Sequence, residues 1–182
     1  MSQQQQPSQE ALLAALAAQS SRAPPPTKSF AELAAPADLT TSVSTDGGAD
    51  ALTNSRKIYC TRERCGAVIL QPGVGEWVEA EPGILPAAPG SPFPAESTTV
   101  GYWYVRGSPF AFDNIGFSRP DAAAALPDYA PGVAEAGGKV KWLICAECDL
   151  GPLGWSFEGG KEAWLAVDRL RYAAEPKAVA AA

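Results

Sequence analysis

The sequence predicts a mainly β domain of several coiled antiparallel sheets, closed by a two-knuckle four-cysteine metal site. Three observations lead there. The chain has four cysteines, in two tight pairs, Cys60-x4-Cys65 and Cys145-x2-Cys148. Around these pairs run short apolar-aromatic segments of strand character. Gly and Pro cut those segments at short intervals, which marks turns between strands and argues against a helical body.

Taken in order, residues 1–53 are rich in Gln, Ala, Pro, Ser and Thr and poor in aromatic side chains. Such a composition offers little apolar burial to offset ordering, so a disordered N-terminal tail is expected. Within it, Ser8 to Gln19 has the pattern of a short helix, with Ser8 as N-cap and Leu12, Leu13 and Leu16 on one side. It is too short to be stable alone. The composition changes at Asn54, and a single domain is expected over 54–173.

Inside that domain, KIYC and AVILQPG read as strands flanking the first knuckle. Trp77 to Ala80 gives another, followed by VGYWYVRG and PFAFDNIGF. KVKWLICAEC is an apolar-aromatic strand running into the second knuckle, and GWSFEGG and AWLAVDRLRY close the domain. The alternation in AWLAVDRL fits a strand better than a helix. Residues 81–97, with five prolines, read as an exposed loop. Residues 119–138 read as a flexible excursion, and 174–182 as a second disordered tail. Neither loop composition is expected to pack a core.

Charge narrows the function. Twenty acidic residues against fourteen basic ones give a net charge of −6. Nucleic-acid binders need a basic footprint, so that class is set aside. There is no apolar run of the roughly 18 residues a membrane helix needs. The apolar run Ala11 to Ala18 lacks a basic leader and follows Glu10, so it does not read as a secretory signal. A cytosolic, reducing compartment is the expectation, in which thiols stay free for metal. Two disulfides are the alternative, suited to a secreted domain.

Zinc takes four ligands tetrahedrally, at about 2.3 Å from each sulfur. With no histidine in the chain, Cys60, Cys65, Cys145 and Cys148 are the only soft ligands. Four thiolates fill every position and leave none for an activated water, so one structural zinc is expected. Iron in a rubredoxin-like site is the alternative metal. Methionine sulfoxide reductases of the B type share a two-knuckle zinc site, but they need a further nucleophilic cysteine. Here all four are committed to metal, and no histidine can carry protons. Phosphate-loop and dinucleotide fingerprints are also missing. Glu147 and Asp149, beside the second knuckle, read first as solvated loop carboxylates.

The stretch from Lys57 to Arg171 resembles the Mss/Dss family of Rab guanine nucleotide-release factors, of the mammalian suppressor-of-secretion type. KVKWLICAECDLGPLGW carries the resemblance most strongly, with Asp149 to Trp155 directly after the second knuckle. Asn114 to Phe117 (NIGF) and Cys65 to Gly73 (CGAVILQPG) extend it across the folded region in the same order. The resemblance implies a zinc-containing β-tent that binds secretory Rab GTPases in their nucleotide-free form. It implies slow GDP release and a chaperone role in post-Golgi transport, with no bond made or broken. Carried over residue by residue, it places the GTPase surface at Phe110, Phe112, Asp113, Asn114 and Phe117, and at Glu147 inside the second knuckle. The first knuckle departs from the animal pattern in having four residues between its cysteines. A zinc-ribbon adaptor for some other protein partner is the competing reading from a different class.

Overall fold

β-branched and aromatic side chains suit a pleated, half-buried surface, and the strands form where the sequence concentrates them. In a computed structural model, residues 8–10, 13, 25–44, 50–87, 91–94, 98–107 and 109–176 are described. A four-stranded sheet contains β1 (Thr27–Ser29), β12 (Leu170–Ala173), β4 (Ile58–Cys60) and β5 (Val68–Leu70), in that spatial order. An eight-stranded sheet begins with β2 (Thr40–Ser44), β3 (Asp50–Asn54), β6 (Glu76–Glu79) and β7 (Gly101–Arg106). It continues through β11 (Glu162–Ala166), β10 (Gly154–Phe157), β9 (Val140–Cys145) and β8 (Ile115–Phe117). Every pairing is antiparallel. The mainly β, antiparallel architecture is therefore the predicted one. No helix among the described residues is long and apolar enough to cross a membrane.

Successive side chains of a strand point opposite ways, and β7, β9 and β11 of the larger sheet carry apolar side chains on both faces. One face sends Trp103, Val105, Leu143 and Leu165 into a core shared with Ile58, Leu70, Leu170 and Tyr172 of the smaller sheet. Trp103 Nε1 donates to the Tyr172 hydroxyl at 3.2 Å, which in turn donates to the Val167 carbonyl at 2.7 Å. On the other face the register sets Trp142, Trp155, Trp164 and Tyr104 directly across from one another on four adjacent strands. The Trp155 and Trp164 rings stack at 5.7 Å, and those of Tyr104 and Trp164 at 5.3 Å. This aromatic row is the second core.

The loops cover that row. Ile84 and Leu85 of the proline-rich loop and Ala130 of the 119–138 segment are buried against it, with Leu126 and Val133 partly so. Trp155 Nε1 donates to the Pro131 carbonyl at 3.2 Å, and the Tyr129 hydroxyl reaches the Pro82 carbonyl at 3.0 Å, joining the two loops. The expectation that neither segment packs a core is corrected here. They have almost no regular structure, yet an aromatic sheet face needs an apolar cover, and Ala- and Pro-rich chain supplies one. Gly132 is required beneath the cover, since a Cβ there would lie 2.2 Å from the Trp164 ring.

Two further expectations change. Residues 27–53, read as part of a disordered tail, supply β1, β2 and most of β3, and Leu39 is fully buried. Their strands are short and polar because each needs only to pair with an existing edge: β1 with β12, and β3 with β6. Most of Ser8 to Gln19 lies outside the described residues, as does most of the expected C-terminal tail. AWLAVDRL is a strand only to Ala166; Val167–Arg169 is a 3-10 turn that redirects the chain into the smaller sheet.

That turn buries Arg169, which is 1% exposed. Its guanidinium donates to the carbonyls of Pro152 at 2.7 Å, Pro86 at 3.1 Å and Leu85 at 3.2 Å. It also lies 4.7 Å from the centre of the Phe93 ring. Replacing Arg169 with Met leaves these carbonyls without donors. We expect Arg169→Met to lose about 3 kcal/mol in urea unfolding, with the proline-rich loop becoming the first site of limited proteolysis.

Candidate metal centre and the loop beside it

The two cysteine pairs belong to different sheets. Cys60 ends β4 and Cys65 precedes β5 in the smaller sheet, whereas Cys145 ends β9 in the larger one. The four Sγ atoms lie within 4.8 Å of one another. Cys60 and Cys148 are 3.6 Å apart, and Cys65 and Cys145 are 3.8 Å apart. Thiolates on a tetrahedral zinc sit roughly 3.8 Å from each other, given bonds of about 2.3 Å. A disulfide needs about 2.05 Å, and all four thiols are free. The donor set and its spacing fit a closed four-coordinate metal.

Both knuckles are built alike. The Cys60 N–H donates to the Ala67 carbonyl and the Cys145 N–H to the Leu150 carbonyl, each at 2.9 Å, so each loop is pinned just beyond its second cysteine. The longer first loop turns through left-handed Arg64 (φ 64°) and Gly66 (φ 63°), and the shorter second one through Asp149 (φ 57°). Backbone N–H groups of Arg62, Ala67 and Leu150 point at the sulfurs of Cys60, Cys65 and Cys148. Such donors orient ligand sulfurs and favour their thiolate form.

Burial pushes the Cys60 thiol far above its ordinary range and Cys65 up to about 11, against the pull of those N–H groups. Burial also raises Cys148, but the Leu150 N–H and the neighbouring thiols outweigh it and lower that group. A bare cluster thus resists full ionisation, and a divalent cation would reverse the balance by direct attraction to each sulfur.

The loop that carries the expected partner residues abuts the second knuckle. β8 pairs with β9 so that Ile115 stands opposite Cys145, and the Ala146 N–H donates to the Asn114 carbonyl at 3.1 Å. The Asn114 side chain donates to the Val68 carbonyl at 2.8 Å, tying this loop to β5 of the other sheet. Asp113 is exposed and accepts from Gln71 Nε2 at 2.9 Å. Phe112 and Phe117 meet edge to face at 6.3 Å and pack partly into the main core, with Lys141 Nζ 5.0 Å above the Phe117 ring. Phe110 is 95% exposed, and Glu147 is exposed at the tip of the second knuckle.

The six residues are spread from near the β10–β11 turn, where the Gly107 N–H donates to the Lys161 carbonyl at 2.8 Å, to the second knuckle, and they occupy two kinds of environment. Phe112, Asn114 and Phe117 are held by the fold; Phe110, Asp113 and Glu147 face solvent. Sequence reading missed Gln71, Val68 and Lys141, which position them. Lys141 alone left a signal, as a polar residue alternating within an apolar strand.

Removing the metal should cost more than the domain holds in reserve. Structural zinc contributes on the order of 10 kcal/mol to small zinc domains, against total stabilities of about 5–15 kcal/mol. We expect a strong chelator to release one metal per chain, measured by metal analysis, and to abolish the near-UV tryptophan signal. Metal retention should also fall on acidification, since protons compete for the same thiolates.

A match to the family model described as Mss4 protein covers residues 53–172, most of the chain. It runs from the last turn of β3 into β12 and takes in both knuckles, the Phe110–Phe117 loop and both covering loops, leaving β1 and β2 outside. On this match, with the four-cysteine centre and antiparallel sheets already described, the chain belongs to the Mss4 family.

Proposed function

We propose that the protein binds Rab-type small GTPases, preferentially in the nucleotide-free state, and so releases GDP and holds the empty GTPase. The observation that carries this reading is the exposure of a phenylalanine, Phe110, which is 95% exposed on the loop that runs from β7 to the second knuckle. A large aromatic ring in water is characteristic of an interface anchor. Asp113, three residues on in the same loop, and Glu147, in the second knuckle, add exposed acidic charge. Acidic groups presented to a nucleotide site oppose its phosphates and compete for its magnesium. Exchange then needs no covalent chemistry: binding the empty GTPase tightly weakens nucleotide affinity by the same factor.

In this reading the metal is a single structural zinc and takes no part in exchange. It holds the knuckle that Asn114 and Ala146 join to the loop. The setting we propose is cytosolic, in post-Golgi vesicle transport, with the vesicle membrane reached through the GTPase.

The test is release of fluorescent GDP from a panel of purified Rab GTPases. We expect acceleration on a subset of them, reduced roughly tenfold or more by Phe110→Ala, the scale of an interface anchor. Glu147→Lys should weaken it as well, with neither variant losing metal or thermal stability. Asn114→Ala is less informative, because it also breaks the tie to Val68. No release and no binding to any nucleotide-free Rab would overturn the proposal and leave an adaptor role for another protein.

A further inference from the structure

The first knuckle carries a feature that GTPase binding does not use. Arg62 and Arg64 lie between its two cysteines, and with Arg171 of β12 they line a concave pocket of about 250 Å³. Such clustering is unusual in a chain of net charge −6. None of the three arginines is ion-paired; among the described residues the one ion pair joins Arg106 to Glu76. Arg171 is oriented by Thr27, donating to its hydroxyl at 2.8 Å and its carbonyl at 3.0 Å. The opposing charges are Glu63, in the same lining, and Glu32, which acts on Arg171 from nearby. They leave the pocket net positive.

A second, independent observation comes from β4. Tyr59 also lines the pocket: its ring is largely buried, and its hydroxyl, which makes no hydrogen bond among the described residues, is not sealed from solvent. The hydroxyl is therefore available to a ligand in the pocket. The pocket thus offers guanidinium donors from the knuckle and β12 and a phenol donor from β4. Donors converging from three elements suit a tetrahedral oxyanion with several acceptor oxygens; a planar carboxylate is largely satisfied by one guanidinium fork.

We propose that the pocket formed by Tyr59, Arg62, Arg64 and Arg171 binds a phosphoryl group, supplied by a soluble phosphate or a lipid headgroup. Because Arg62 and Arg64 sit between two metal ligands, the metal fixes the loop that presents them.

The experiment uses the full-length, metal-loaded protein. Inorganic phosphate is titrated calorimetrically at constant ionic strength held with chloride. Vesicles of phosphatidylcholine with and without a phosphatidylinositol phosphate are then tested by flotation. We expect saturable phosphate binding, weakened roughly tenfold by Tyr59→Phe, the scale of one hydrogen bond to a charged group. It should be abolished by Arg62→Ser combined with Arg64→Ser, and unchanged by Arg119→Ser on a distant loop. Metal content and near-UV spectra check that the knuckle variants remain folded. Saturable phosphate binding without flotation assigns a soluble ligand, whereas flotation dependent on the inositol phosphate and lost in the double variant assigns the headgroup. Absence of saturable binding in both assays would overturn the proposal, as would equal binding by Tyr59→Phe and the double variant.

Discussion

The constraint on which the rest of this molecule depends is that four sulfurs from two sheets must meet at one point. Cys60 and Cys148 are 88 residues apart in the chain, and Cys65 and Cys145 are 80 apart. Closing loops of that length is entropically costly. The shared core of Trp103, Leu143, Leu165, Ile58 and Tyr172 holds their middles. The cysteine cluster holds their ends. Everything proposed for this protein's surface is mounted there: the Phe110 loop leans on the second knuckle, and the arginines lie inside the first.

The larger sheet illustrates a second constraint. A row of four aromatic residues on adjacent strands, Trp142, Trp155, Trp164 and Tyr104, could not remain in water without driving association. The chain covers most of it with two loops that form no strand or helix among their described residues. The cover is fastened by a few hydrogen bonds from Trp155, Tyr129 and Arg169 to proline-region carbonyls. Proline-rich chain suits this use, because its carbonyls accept hydrogen bonds and its missing N–H groups demand none.

How much of this was legible in the sequence follows from the range of the interactions involved. The meeting of the four cysteines was legible, because their spacing in two tight pairs states its own chemistry. Strands such as Val140–Cys145 and Gly101–Arg106 were legible because aromatic and β-branched residues cluster locally. β1 and β2 were not, because Thr27–Ser29 and Thr40–Ser44 have little β character of their own. They are strands because an unpaired edge lies beside them. The same holds for the covering loops: nothing in DAAAALPDYAPG names its partner, and only the tryptophan row across the sheet explains why Ala130 is buried. Asn114 was picked out from the family motif, while its tie to Val68 depends on how the two sheets meet, which no local pattern encodes.

The metal centre also separates charge. The first knuckle reads Cys-Thr-Arg-Glu-Arg-Cys and the second Cys-Ala-Glu-Cys-Asp, so one loop is net basic and the other net acidic. Sulfur contacts within 4.8 Å hold these loops side by side. Exposed charges act on an approaching partner over about a Debye length, roughly 8 Å at physiological ionic strength. Charge of alternating sign at fixed spacing adds little affinity, but it strongly penalises a misoriented partner. A metal that makes and breaks no bond can in this way still set function, by fixing the distance between an acidic, aromatic surface and a basic pocket. The binding surface and the structural site are then one object. This accounts for a chain that commits every cysteine to one end of its fold, with a basic loop and an acidic loop side by side there.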